Sequence, residues 1–267
     1  MTRLRSARLR PPSAFRSDTH VCSNRFRPKT RCRARAIAWA LCALVCGGAG
    51  ASNLSAELLA QAPGLDAEVL ALALAARDCA AATEVAERSP RLAVIDYSLP
   101  STEVRLWVFD LEDQRLLHAE HVAHGRGSGD NHATAFSNIE GSHQTSLGLF
   151  RTDRTYVGAN GYSLRMDGLD PGFNDRARER AIVMHGADYV DPERALAQGR
   201  LGRSHGCPAV RTEIARPLID DLRDGQLLFA YYPDPEWLAR SQPLACLRQA
   251  RAQAGGQAGG AVAPAAQ

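Results

Sequence analysis

An apolar run, Ala181-Ile182-Val183-Met184, stops at His185-Gly186, and a second short stretch follows it: Gly202-Arg203-Ser204-His205-Gly206-Cys207-Pro208-Ala209-Val210. Together these two stretches constrain the fold more than any other part of the chain. The apolar run suits a buried strand, so His185 is expected at the end of a rigid element. Pro208 holds Cys207 in an extended or turn conformation, and Gly206 removes a side chain beside it, so the thiol is expected where the chain changes direction. A thiol at such a bend becomes a nucleophile when an imidazole accepts its proton, and a backbone N–H there can face a developing oxyanion. Either residue alone has a blander reading, a small buried hydrophobe for Cys207 and a satisfied polar residue for His185. In combination they point to cysteine-based acyl transfer.

The pattern His-Gly, a gap, then Ser-His-Gly-Cys resembles the signature of the YkuD-type L,D-transpeptidases, enzymes that remodel bacterial peptidoglycan. From about Ala135 to Asp234 the chain resembles the murein L,D-transpeptidase catalytic-domain subfamily. The segments that carry this are Ala135-Phe136-Ser137-Asn138, Gly141-Ser142, Ser146-Leu147-Gly148, Gly161-Tyr162-Ser163-Leu164-Arg165, Gly172-Phe173-Asn174, His185-Gly186-Ala187 and the run around Cys207. The resemblance implies a YkuD-like catalytic fold with flanking helices. It also implies Cys207 as nucleophile, His185 as proton donor and acceptor, and Ser204, His205, Gly206 and Gly186 as residues shaping the site and its oxyanion pocket. The implied partners are peptidoglycan stem peptides. Cys207 would attack the third, L-centred residue of a stem tetrapeptide, expel the terminal D-alanine and pass the acyl group to an amine, with no metal or organic cofactor. Water as acceptor would make the same site an L,D-carboxypeptidase, and a catalytically silent wall-binding module is the reading from another class. One departure stands out: many members of the wider family have an Arg two residues after the Cys, where this chain has Ala209. Arg211 is a candidate to recognise a substrate carboxylate instead, or else a solvated residue at a helix start.

Charge divides the chain into unlike parts. Residues 1–35 carry ten Arg and Lys29 against Asp18, a net +10, whereas the whole chain is +3, which leaves −7 for the remainder. The basic pI therefore belongs to the leader, and no nucleic-acid role follows from it. The apolar run Ala36 to Cys46 is too short to span a bilayer comfortably and fits the core of a signal peptide, with Ala49-Gly50-Ala51 as a small-x-small cleavage site. The expectation is a leader over 1–51 and export to the periplasm or cell envelope. An uncleaved anchor and a lipidated Cys46 are the alternatives.

Four of the seven cysteines, Cys22, Cys32, Cys42 and Cys46, lie in this leader. Of the rest, Cys207 must stay free for catalysis, so Cys79 and Cys246 are the natural pair for an oxidising compartment; two buried thiols are the alternative. The chain thus divides into a helical extension over 52–90, a catalytic domain with a closing helix over 91–250, and an Ala-, Gly- and Gln-rich tail over 251–267 that is expected to be disordered.

Within the mature part, Asp66 is placed to cap a helix carrying Val69, Leu70, Leu72, Leu74 and Cys79, which is expected to pack on the catalytic domain. Strands are expected at Leu92 to Tyr97, Val104 to Asp110, Leu116 to Val122, Ser146 to Thr152, Tyr156 to Ala159, Tyr162 to Met166 and Gln226 to Tyr232. Asn160-Gly161 reads as a type I′ hairpin turn. Short helices are expected around Asn174 to Arg180, Pro192 to Gln198 and Pro235 to Ala250. A longer one from Arg211 or Thr212 to Leu222 would turn its positive end toward Cys207. The fold class is α+β with a mainly antiparallel sheet. His118, His121 and His124 are evenly spaced, but on one strand residues three apart point to opposite faces, so no shared metal is expected. His124 opens a Gly-, Ser- and Asn-rich segment, Gly125 to Gln144, that reads as a loop near the cleft, so His124 is a candidate lining residue.

Overall fold

The computed structural model describes residues 47–82 and 89–258. The apolar run of the leader lies outside the described residues, and the small-x-small segment falls within the first helix, α1 (Gly47–Gln61). No helix among the described residues is long and apolar enough to cross a membrane.

Strands β1 (Arg91–Asp96), β2 (Leu106–Asp110) and β3 (Arg115–Glu120) form the expected antiparallel meander. Next come β4 (Gly148–Gly158), β5 (Gly161–Gly168), β6 (Val183–Gly186), β7 (Ala209–Val210) and β8 (Leu227–Tyr231). All eight join one sheet in the order β3-β2-β1-β8-β4-β5-β6-β7. The pairs β1–β8 and β6–β7 are parallel and the other five antiparallel. The last strand is therefore threaded into the middle of the sheet.

Nearly unbroken apolar sequence in β1, β2 and β8 follows from burial of both faces. Leu92, Val94, Trp107, Phe109, Leu149, Leu227 and Phe229 point into one core with α1, α2 (Ala67–Ala81) and the C-terminal helices. Their neighbours Ala93, Ile95, Leu106, Val108, Phe150, Leu228 and Ala230 point into the other, which α4 (Thr212–Leu222) closes with Leu218, Ile219 and Leu222. Asp66 caps α2 by accepting from the Glu68 and Val69 N–H groups. The helical extension thus packs on the sheet as part of the same core.

Several elements differ from the sequence reading. The two strands expected across 146–159 are a single eleven-residue β4, whose irregularity is a bulge between Thr152 and Thr155. At the hairpin tip only Gly161, φ 71°, has positive φ, so the connection is a two-residue turn followed by a left-handed glycine rather than type I′. No regular helix forms at 174–180: Ala177 N–H bonds three residues back, Arg180 four and Ile182 five, which gives a run of turns. The closing helix is two helices, α5 (Pro235–Arg240) and α6 (Ala245–Ala258), separated at Ser241 to Leu244, where Pro243 cannot donate. Because α6 runs to Ala258, helix continues into the segment read as tail, while 259–267 lie outside the described residues.

Cys79 at the end of α2 and Cys246 at the start of α6 form a disulfide, with Cα atoms 5.8 Å apart, leaving Cys207 free and buried. The bond closes 167 residues of chain and so constrains the unfolded ensemble strongly. Replacing both cysteines by Ser is expected to lower unfolding free energy by about 2–4 kcal/mol. Denaturant titration checks this, and an unchanged midpoint would mean the bond contributes nothing to stability.

Candidate active site

The site is built where β6 ends against β7. In their parallel register His185 lies opposite Ala209 and Gly186 opposite Val210, with the His185 N–H on Pro208 O at 3.4 Å and the Ala187 N–H on Val210 O at 2.9 Å. Cys207 therefore sits beside Val183, one strand repeat back from His185. The Val183 N–H reaches Cys207 Sγ at 3.5 Å, and the thiol faces Ala181 O at 3.7 Å. Among the described residues no hydrogen bond joins Cys207 to His185.

Ser204 holds the turn that carries the thiol. Its Oγ donates to Cys207 O at 2.6 Å and accepts the Gly206 N–H at 3.0 Å, and its own N–H bonds His124 O at 3.0 Å. Gly206 is required twice over. Its φ of 121° is open to glycine, and an added Cβ would lie 2.8 Å from Gln144 O and 2.9 Å from Ile182 Cδ1. Gly125 packs against it so closely that a Cβ there would stand 2.9 Å from Gly206 N. The Gly206 N–H is taken by Ser204, which leaves the Cys207 N–H as the backbone donor at the bend for an oxyanion.

His185 Nδ1 lies 2.9 Å from Gly186 O, and a carbonyl only accepts, so Nδ1 carries the proton and Nε2 presents its lone pair. Burial lowers the imidazole pKa, so the ring is neutral. Gly186 is needed by α4, since a Cβ would lie 2.8 Å from that of Ala215. Burial pushes the Cys207 thiol up, while the Val183 N–H and the Arg180 cation pull the other way. The resting pair is thus thiol and neutral imidazole. The first turn of α4 meets Asp188, through Thr212 Oγ1 at 2.9 Å, so the helix end expected to polarise Cys207 is engaged elsewhere.

His205 is exposed and stacks on His143, ring centroids 4.4 Å apart, at the rim of the turn. Arg126 donates to His143 Nδ1 at 2.8 Å. Sequence reasoning placed Arg126 and His143 in a generic loop; the positive φ of His143, 55°, has no signal in the sequence.

Two candidate binding residues are placed differently from expectation. His124 is fully buried: its Nδ1 accepts from Arg105 at 2.8 Å and its Nε2 faces Gly129 O at 3.4 Å, so it offers no face to a substrate. It supports the site from behind, through its carbonyl on Ser204. His118 and His121 have separate partners, Asp221 at 2.7 Å and Thr102 O at 3.2 Å, and since β3 ends at Glu120 the opposite-face argument covers only His118. Arg211 is paired with both carboxylate oxygens of Glu120, at 2.8 and 3.0 Å, and with Glu213 at 2.9 Å. It borders an open groove of about 520 Å³ lined also by Asp188, Asp191 and Glu193. A cation so neutralised, among further acids, is poorly suited to a substrate carboxylate.

Residues 61–231 match the family described as the L,D-transpeptidase catalytic domain (YkuD_2). The chain belongs to that family. Among solved structures it is similar to an L,D-transpeptidase from Mycobacterium smegmatis, at 14% identity and TM-score 0.33, covering 54% of this chain and 59% of that one. It is similar also to an L,D-transpeptidase from Mycobacterium tuberculosis H37Rv, at 14% identity and TM-score 0.34, covering 54% and 58%. A third is Bd1075 of Bdellovibrio bacteriovorus, at 14% identity and TM-score 0.35, covering 61% and 56%. The alignment thus spans less than two thirds of each of these chains, and family membership rests on the 61–231 match. No curated protein matches by sequence.

Two outcomes are expected from this geometry. Gly206→Ala places a side chain against backbone at a left-handed position, so it is expected to destabilise by at least about 1–3 kcal/mol and to abolish thiol reactivity; a variant with wild-type melting and labelling contradicts the tight turn. Burial first, and then Arg105, hold His124 down to about 4, below its unfolded value of 6.5. The unfolded chain therefore binds more protons between these values, and stability present above pH 6.5 is lost as pH falls toward 4, by up to about 3 kcal/mol. Denaturation across that range should be less pH-dependent in His124→Asn than in the wild type; identical slopes would contradict the buried neutral imidazole.

Proposed function

We propose that the protein is a peptidoglycan L,D-transpeptidase in which Cys207 is the nucleophile and His185 the proton carrier. The observation that carries this reading is the β6–β7 pairing, which sets a neutral His185 with a free Nε2 beside the strand turn that holds the free cysteine. In the reaction Cys207 turns from Ala181 O toward His185, whose Nε2 takes the thiol proton as Sγ attacks the carbonyl of the third stem residue. The tetrahedral oxyanion receives the Cys207 N–H, a contact worth about 3 kcal/mol in the transition state. His185 then returns the proton to the departing D-alanine amine, leaving a thioester. An amine from a second stem attacks it, gives its proton to His185, and the thiol is restored as the new amide forms. Every proton moves through one imidazole.

The rotation of the thiol follows from a resting state in which its hydrogen-bond partners are backbone groups. Export to the envelope of a bacterium fits the substrate, and the Cys79–Cys246 disulfide, the basic leader and the apolar run after it support it.

Incubation with a disaccharide tetrapeptide, followed by muropeptide separation, tests the reaction. The expected product is a crosslinked dimer with release of D-alanine, lost in Cys207→Ala and reduced at least about 100-fold in His185→Ala. Tripeptide alone would assign the L,D-carboxypeptidase reaction to the same site. No product with the folded wild type would reject both and leave the wall-binding module.

A further inference from the structure

Arg180 precedes β6 on the run of turns beneath the nucleophile, and the chemistry described so far does not use it. Its Nη1 donates to Ser137 O at 2.6 Å and Ser146 Oγ at 2.5 Å, and its Nη2 to Gln144 O at 2.7 Å and Ser142 Oγ at 3.2 Å. All four acceptors lie on one loop, 137–146, and all four are neutral. Its Nε is buried without a partner. Among the described residues no carboxylate pairs with Arg180: the adjacent Glu179 is taken by Arg176. A Cβ on Gly206 would stand 3.5 Å from Nη2, so the guanidinium abuts the turn that carries Cys207.

Arg180 is half-buried, and a guanidinium partly withdrawn from water normally sits against a carboxylate, because neutral oxygens satisfy its N–H groups but leave its charge standing. Here that uncompensated charge faces a position where a thiolate must form. The other groups around the sulfur cannot substitute for it. His185 is neutral, and burial is the main cause that holds Tyr97 and Tyr189 protonated. The cation acting on Arg180 is Arg176, which is paired with Glu179.

We propose that Arg180 is a positioning residue for Cys207, clamping the 137–146 loop over the turn and supplying the fixed positive charge that favours the thiolate during attack. This rests on Cys207 being the reactive thiol, and it links the seating of one loop to the reactivity of the nucleophile. A loop that lifts away removes four acceptors from the guanidinium, returns it to water and weakens its field at the sulfur. The Gly-, Ser- and Asn-rich stretch then acts on catalysis without touching the reacting atoms.

Alkylation of Cys207 by iodoacetamide as a function of pH tests the proposal without any peptidoglycan substrate. Failure of the transpeptidase reaction would therefore leave this measurement intact. In Arg180→Gln the rate below the titration midpoint is expected to fall about tenfold, while the plateau at high pH, which reports access to the sulfur, stays within about twofold of wild type. Arg180→Lys keeps the cation and should titrate near wild type. Equal midpoints in wild type and folded Arg180→Gln would overturn the proposal. Should Arg180→Gln fail to fold by circular dichroism, the double variant Ser142→Ala, Ser146→Ala supplies the decision. It removes two of the four acceptors that hold the guanidinium over the turn, so an upward shift of the midpoint is expected, and a wild-type midpoint in this folded variant would overturn the proposal.

Discussion

The short parallel contact between β6 and β7 is the constraint on which the site depends. A sheet covered on both faces gives a polar reaction centre no room in its middle, so the chemistry has to be placed at an edge. β7 is that edge, and it is only two residues long. The His185 and Ala187 N–H groups at the end of β6 donate to Pro208 O and Val210 O, which fixes His185 and the Cys207 turn in one register, and a slip of one residue would turn His185 into the opposite core. The rest of the turn serves this contact: Ser204 ties its two ends together, and Gly125 and Gly206 allow two backbones to approach within a distance no other residue permits.

Polar support for the turn comes from groups drawn out of solvent wholly or in part. Arg105 is buried, donates to Val122 O, Leu99 O and His124 Nδ1, and lies 5.1 Å from the centre of the Tyr97 ring. Burial lowers its pKa to about 10, which leaves it charged. His124 passes the order of that cluster to Ser204 through its carbonyl. Arg180 does the equivalent on the other side of the turn. A buried Arg105 and a half-buried Arg180, both bonded to neutral groups rather than carboxylates, are costly to assemble, and both lie behind the same few atoms.

Much of this was legible in the sequence where it is written locally. The apolar run before His185, the Gly-Cys-Pro bend, the Asp66 cap and the Leu-rich face of α2 each have a local cause, and each falls where the pattern places it. The sequence offered Cys79 and Cys246 as the natural pair beside two buried thiols, and the structure joins them. What the sequence did not reveal is long-range. Nothing local in Leu227–Tyr231 says that it enters the sheet between β1 and β4, because an apolar strand reads alike in parallel and antiparallel surroundings. The same holds for the site: His124 looked available because it opens a loop read as lining the cleft, and Arg211 because it follows the motif, while the pairing of each with Arg105 and Glu120 has no local signal. Arg180 was hidden within a stretch read as a charged helix, where an arginine is expected to face water.

The central claim is that Cys207 carries the acyl group, and the mass of the intact protein during turnover of a disaccharide tetrapeptide tests it most directly. An adduct equal to the disaccharide tripeptide acyl group is expected, located on Cys207 by peptide mapping and absent from Cys207→Ala. A crosslinked product formed without any such adduct, or an adduct that persists in Cys207→Ala, would contradict it.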